Sequence, residues 1–113
     1  MKFQSVTIFV VFVLFVFAFS NARLSGRWNP ISNIKDSYVT GVAQFALAEN
    51  LKLTGEKLSL VEVIKGERKV VQGILYRLLL AAKDGSVVKK YEVEVLDRPF
   101  SHIRRLTSFR SLP

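Results

Sequence analysis

The sequence predicts an α+β domain, one helix packed on an antiparallel sheet of about four to five strands. Three observations carry this. Tyr38, Val42, Phe45 and Ala46 recur at helical spacing. From Leu58 onward the chain is instead punctuated at strand length, by Gly73, by Asp84-Gly85 and by Pro99. Val87, Lys89, Tyr91, Val93 and Val95 alternate with Val88, Lys90, Glu92, Glu94 and Leu96, the period-two pattern of a half-buried strand. One helix followed by consecutive hairpins leaves an antiparallel sheet as the partner for the helix's apolar face.

The N-terminus comes first. Met1-Lys2 precedes a run from Val6 to Phe19 without a charge, and Ser20-Asn21-Ala22 supplies small residues at the exit. A basic start, an apolar core and a small-residue exit describe a secretory signal peptide over residues 1–22. A membrane anchor is the alternative, since Phe3 to Ala22 is about long enough to span a bilayer. Only Arg23 and Arg27 follow closely, so no basic cluster marks an anchor's cytoplasmic side. The expectation is a secreted, extracellular chain, a single domain over 23–113 with no membrane contact once the leader is removed. Removing residues 1–22, whose one charged group is Lys2, takes the chain from 113 to 91 residues and its net charge from +8 to +7. That length suffices for one small core.

Within the domain, Arg23 to Asn33 reads as irregular, with Gly26 and Pro30 as breakers. Asp36 is placed to cap a helix by accepting from the free N–H groups of its first turn. That helix should end near Asn50. Ala43, Ala46 and Ala48 are small enough to let a sheet approach, and Gly41 should weaken the helix by about 1 kcal/mol relative to alanine. Strands are expected at Leu58–Lys65, Ile74–Ala82, Val87–Leu96 and Ile103–Phe109.

The composition excludes several chemistries. There are no cysteines and one histidine, His102, so a cysteine nucleophile and a thiolate metal site are impossible. No Ser-His-Asp set, paired-carboxylate motif, phosphate loop or metal-ligand cluster is present, and neither an enzyme nor a cofactor or metal is expected. Asp36 and Glu49 suit capping and solvation rather than acid–base work, His102 reads as a surface residue, and Trp28 reads as a packing residue near the start of the domain. A small secreted domain without disulfides must rely on its sheet and helix alone.

The loop Lys69-Val70-Val71-Gln72-Gly73 is unusual, because two adjacent valines contribute nothing to a solvated turn. A loop that keeps apolar residues at its tip is built to press them into a partner. These residues resemble the cystatin signature Gln-x-Val-x-Gly, with Lys69 in place of the glutamine. Val63-Ile64-Lys65-Gly66-Glu67 and Tyr76-Arg77-Leu78 look like the plant branch of that family. Val42-Ala43-Gln44-Phe45-Ala46-Leu47-Ala48-Glu49-Asn50 is similar to its helix motif Leu-Ala-Arg-Phe-Ala-Val-x-Glu-x-Asn, one residue short before the asparagine. Gly26-Arg27-Trp28-Asn29-Pro30-Ile31 looks like Gly-Gly-Trp-x-Pro-Ile, Pro99-Phe100 stands where the family has Pro-Trp, and Leu106-Thr107-Ser108-Phe109 matches the last strand. The resemblance covers nearly all of Gly26 to Phe109, in order.

What the resemblance implies is a cystatin-like fold and a reversible inhibitor of papain-like cysteine proteases. In that family an N-terminal segment and two hairpin loops enter the protease cleft as one preformed wedge, so little conformational entropy is lost on docking. Carried over, Gly26 bends the N-terminal segment, Lys69, Val70, Val71, Gln72 and Gly73 form the first loop, and Pro99 and Phe100 form the second. The expected partner is such a protease, bound by a monomer; nucleic acid is not expected. Plant members generally lack disulfides, which agrees with the absence of cysteine, and roles in defence or control of proteolysis follow from the likeness alone. The departures point to a weaker or narrower inhibitor. Phe100 for tryptophan gives up about 1–2 kcal/mol of area and one N–H donor. Lys69 is expected to keep its ammonium in water, and Arg27 stiffens a segment where the family has glycine.

A second function class stays open from the charge. Lys89-Lys90, Arg104-Arg105 and Arg110 fall on neighbouring strands and could form a cationic face. Such a face would suit a non-inhibitory, secreted cystatin-fold protein that binds anionic surfaces.

Overall fold

The computed structural model describes residues 26–113. The expected signal peptide, residues 1–22, and residues 23–25 lie outside the described residues. The elements run β1 (Asn29–Pro30), α1 (Ser37–Thr54), β2 (Leu58–Val70), β3 (Ile74–Asp84), β4 (Val87–Arg98), a 3₁₀ turn (Pro99–Ser101) and β5 (Ile103–Ser111). The five strands form one sheet in the order β1-β2-β3-β4-β5, every neighbour antiparallel. This is the expected architecture, a helix on one face of an antiparallel sheet.

The helix buries Val39, Val42, Ala43, Ala46, Leu47 and Asn50, an i, i+3, i+4, i+7, i+8 stripe. The stripe is rotated from the expected one: Phe45 is half-buried at its flank, and Tyr38 and Ala48 are exposed. Ala43 and Ala46 are fully buried, and their small size lets Leu78, Leu80, Val93 and Val95 of the sheet close on the helix. Ala48 plays no part in that approach.

Both helix ends depart from expectation. The Asp36 carboxylate makes no capping hydrogen bond; its backbone C=O accepts the first helical bond from the Thr40 N–H at 3.1 Å. At the other end the helix continues past Asn50 to Thr54 and stops at Gly55, whose φ of 80° makes the left-handed cap. Asn50 cannot terminate the helix because its side chain points inward and donates to Glu56 Oε1 at 3.1 Å.

The strands are also longer than their apolar runs. β2 reaches Val70 because Gly66-Glu67-Arg68-Lys69 remains paired, Gly66 opposite Leu78 and Lys69 opposite Leu75. Register shifts between Leu60 and Glu62 and between Val63 and Lys65 bend β2 over the helix. β4 alternates as expected only from Tyr91, whose ring, with Val93 and Val95, is buried; Val87 and Lys89 lie beyond the core and are exposed.

Candidate functional site

The register places three segments along one end of the sheet. β1 pairs Asn29 with Arg68, two residues before the end of β2. Val70 pairs with Ile74 across the first hairpin, Ile74 pairs with Asp97, and Arg98 pairs with Ile103 across the second. The expected site residues Gly26, Lys69, Val70, Val71, Gln72, Gly73, Pro99 and Phe100 therefore lie within or next to three adjacent segments at this end.

The first loop is Val71-Gln72-Gly73, a three-residue connection. The Val71 N–H donates to the Gly73 C=O at 2.9 Å. Gln72 has φ 56° and Gly73 has φ 130°. Gly73 is fixed twice over: a side chain is rarely tolerated at that φ, and a Cβ there would stand 2.6 Å from Arg98 Cγ and 2.9 Å from the Asp97 C=O oxygen. The first loop thus rests directly on the last residues before the second. Val70, at the shoulder of the hairpin, is 55% exposed.

The second loop spans Pro99 to His102. Pro99 occupies the first helical position of the 3₁₀ turn, where its missing N–H costs nothing. The His102 N–H donates to the Pro99 C=O at 3.1 Å, and His102 takes φ 55°. The turn raises Phe100 to the tip, 100% exposed.

A buried carboxylate holds the base of this loop. Asp97 is 3% exposed. It accepts from the Tyr38 hydroxyl of α1 and from Arg104 Nε of β5 at 3.2 Å. The Arg104 guanidinium also lies 5.3 Å from the Tyr38 ring centroid and 5.7 Å from that of Phe45. The hydrogen bond to Asp97, with burial added, raises the Tyr38 pKa. The pattern of residues gave no sign of this triad, because Asp97 closes an alternating strand where a carboxylate reads as solvated.

The N-terminal segment is held by charge on aromatic. Trp28 sits with Arg77 Cζ 3.9 Å and Lys69 Nζ 4.6 Å from its ring centroid. Arg77 is itself fixed by Glu67 at 3.0 Å and Glu94 at 3.9 Å. The Lys69 ammonium lies over the Trp28 ring and ties the N-terminal segment to the first loop. The signal for this clamp was Arg77 itself, a charge inside an apolar strand, which marks the face turned away from the helix.

The expected cationic face is divided between the two sides of the sheet. Side-chain alternation puts Lys89 and Arg104 on the helix side of the sheet and Lys90, Arg105 and Arg110 on the other. Lys89 pairs with Asp84 at 3.3 Å, Arg104 with Asp97, and Arg110 with Glu92.

A helix-backed antiparallel sheet that presents two hairpin tips and an N-terminal segment at one end is the architecture of the cystatin class. The comparisons agree. The "Cysteine proteinase inhibitor 1" of Actinidia chinensis var. chinensis is 47% identical over 88 residues, 78% of this chain and 76% of that protein. The "Cysteine proteinase inhibitor 5" of Arabidopsis thaliana is 43% identical over 101 residues, 88% of this chain and 82% of that protein. Among solved structures, a salivary cystatin of the soft tick Ornithodoros moubata superposes with a TM-score of 0.69 at 16% identity, covering 78% of this chain and 98% of that one. The squash aspartic acid proteinase inhibitor gives 0.60 at 30% identity, covering 74% and 88%. Residues 31–112 also match the family model described as aspartic acid proteinase inhibitor (SQAPI). The chain belongs to the plant cystatin family of proteinase inhibitors, and is not an enzyme.

Proposed function

We propose that the chain is secreted and reversibly blocks the active-site cleft of papain-like cysteine proteases, with the Gly26 segment, the Val70–Gly73 loop and the Pro99-Phe100 loop as one wedge. The observation that carries this reading is Phe100, wholly exposed at the tip of a loop whose base is locked by Asp97. Burying such a ring in a partner is worth about 1.5–3 kcal/mol, and the locked base keeps the ordering cost low. The relatives with the highest identities above are named as inhibitors of cysteine proteinases.

A second reading is inhibition of an aspartic proteinase, favoured by the family model and by the squash inhibitor structure. One experiment separates the two: titration of active papain, and in parallel of pepsin, with the chain expressed from its full sequence. Stoichiometric or nanomolar loss of papain activity with pepsin untouched supports the cysteine-protease reading. The reverse pattern overturns it in favour of the second. Appearance of the purified chain in the medium of a secreting host tests the location.

A further inference from the structure

All nine acidic residues of the chain lie within the described range, so their distribution can be followed completely. Glu67 and Glu94 are bound to Arg77, Glu92 to Arg110, and Asp97 is buried against Arg104. Glu49 and Asp84 pair with Lys52 and Lys89, and Glu56 accepts from Asn50. Glu62 lies opposite Ala81, well back along the sheet, and Asp36 stands beside Lys35 before the helix. None of them pairs with Arg27, Arg68, Lys69, Arg98 or Arg105 among the described residues.

Those five cations gather at one end. Arg68 and Lys69 precede the first loop, Arg98 precedes the second, Arg105 lies opposite Leu96 just after it, and Arg27 sits in the N-terminal segment. Lys69, Leu75, Leu96 and Arg105 form one cross-strand row on the face away from the helix, two leucines between two cations. At ~4.8 Å per strand that row is about 14 Å wide. Arg98 has its Nε buried with no hydrogen-bond acceptor among the described residues. Tyr38, in the first turn of the helix, meets Asp97, so the helix N-terminus also faces this end, its dipole offset by the Asp36 carboxylate at the N-cap. The apolar tips Val70 and Phe100 therefore stand beside five cations that no carboxylate pairs directly.

Resting on the wedge reading, we propose that this cationic collar selects the protease: the partner is a papain-like protease whose cleft rim is acidic. Charges at a rim act on encounter more than on residence. They draw an oppositely charged cleft onto the tips over about a Debye length, ~10 Å at 0.1 M salt. They also penalise a protease with a basic rim by like-charge repulsion. The departure of Lys69 from the family's glutamine then adds charge to a collar rather than spoiling a loop.

The test measures association and dissociation rates of the full chain with two probes, between 20 and 500 mM NaCl. One is a papain-like protease bearing three or more carboxylates around its cleft. The other is the same protease with those carboxylates changed to amides. The expected result is association that slows ~10-fold across the salt range for the acidic rim and stays nearly flat for the amide form. Arg105→Glu and Arg27→Glu should each slow association with the acidic form ~3- to 10-fold, with dissociation within about 2-fold of the parent. Lys83→Glu at the opposite end makes the same change in net charge and should leave both rates alone. Inhibition with salt-independent association, or equal slowing by Lys83→Glu, overturns the collar and leaves the wedge standing. Absence of inhibition with either probe overturns both.

Discussion

The sheet turns on a positive-φ glycine at each end, Gly73 at φ 130° and Gly85 at φ 69°, and the two sit in different surroundings. A Cβ on Gly73 would meet Arg98 at 2.6 Å and the Asp97 carbonyl at 2.9 Å, whereas one on Gly85 would find nothing within 4 Å. The Gly85 end is a two-residue hairpin, Asp84 opposite Val87, that serves only to reverse the chain. At the Gly73 end the first loop packs against the Asp97 carbonyl and the Arg98 side chain, which couples the two loops. The contrast separates a hairpin whose shape is fixed by its neighbours from one that is free of them, and on the proposed wedge reading the fixed one meets the partner.

Substitutions can break this contrast, and the largest effect is expected from Gly73→Ala. It strains the backbone and drives a methyl into Asp97 and Arg98, so the two loops must part. A loss of ~3 kcal/mol at the interface is about a 100-fold rise in the inhibition constant. Retained tight inhibition by a folded Gly73→Ala chain would show that the crowding is incidental. Phe100→Ala should follow, raising the inhibition constant roughly 10- to 100-fold while leaving the urea midpoint unchanged, since the ring touches nothing it stabilises. Phe100→Trp should act in the opposite direction.

Asp97→Ala should lower stability by about 2–3 kcal/mol, because it strips the acceptor from Tyr38 and Arg104 together. Urea unfolding reads that loss directly, and inhibition should weaken with it as the base of the second loop loosens. Alkaline pH probes the same region more gently. The Tyr38 pKa is raised by its bond to Asp97 and then by burial. Those of Tyr76 and Tyr91 are raised chiefly by burial, with the Arg68 guanidinium pulling Tyr76 partly back. Each phenol keeps its proton longer folded than unfolded. Their stabilising contribution is therefore complete below the ordinary tyrosine value of about 10 and is lost as pH rises through the higher folded values. A urea midpoint that stays level from pH 9.5 to 11.5 would contradict this. The smallest effect belongs to Gly85→Ala, about 1–2 kcal/mol of backbone strain with no change in inhibition.

Much of this was legible in the residues. The Val87–Leu96 alternation located β4, and the valines beside Gly73 located the first loop, because apolar side chains at a turn have a cost that only a partner removes. The limits of β2 were hidden, since Gly66-Glu67-Arg68-Lys69 has the composition of a turn and is held in the ladder by pairing with Leu78, Arg77, Tyr76 and Leu75. Asn50 misled as a helix stop because its side chain is buried and bonded to Glu56 rather than turned out to cap the helix. The Asp97 triad joins residues 59 apart in sequence, Tyr38 and Asp97. No local periodicity encodes such a contact. The Trp28 clamp likewise exists only once β1 is laid beside β2.

That clamp has an optical consequence. Trp28 is the single tryptophan of the chain, and its ring is flanked by a guanidinium and an ammonium. Its emission therefore comes entirely from the junction of the N-terminal segment with the first loop. Freeing the segment from Arg77 and Lys69 would change both the brightness of that indole and its accessibility to a quencher. The molecule thus carries a native fluorophore at the joint between its N-terminal segment and its first loop.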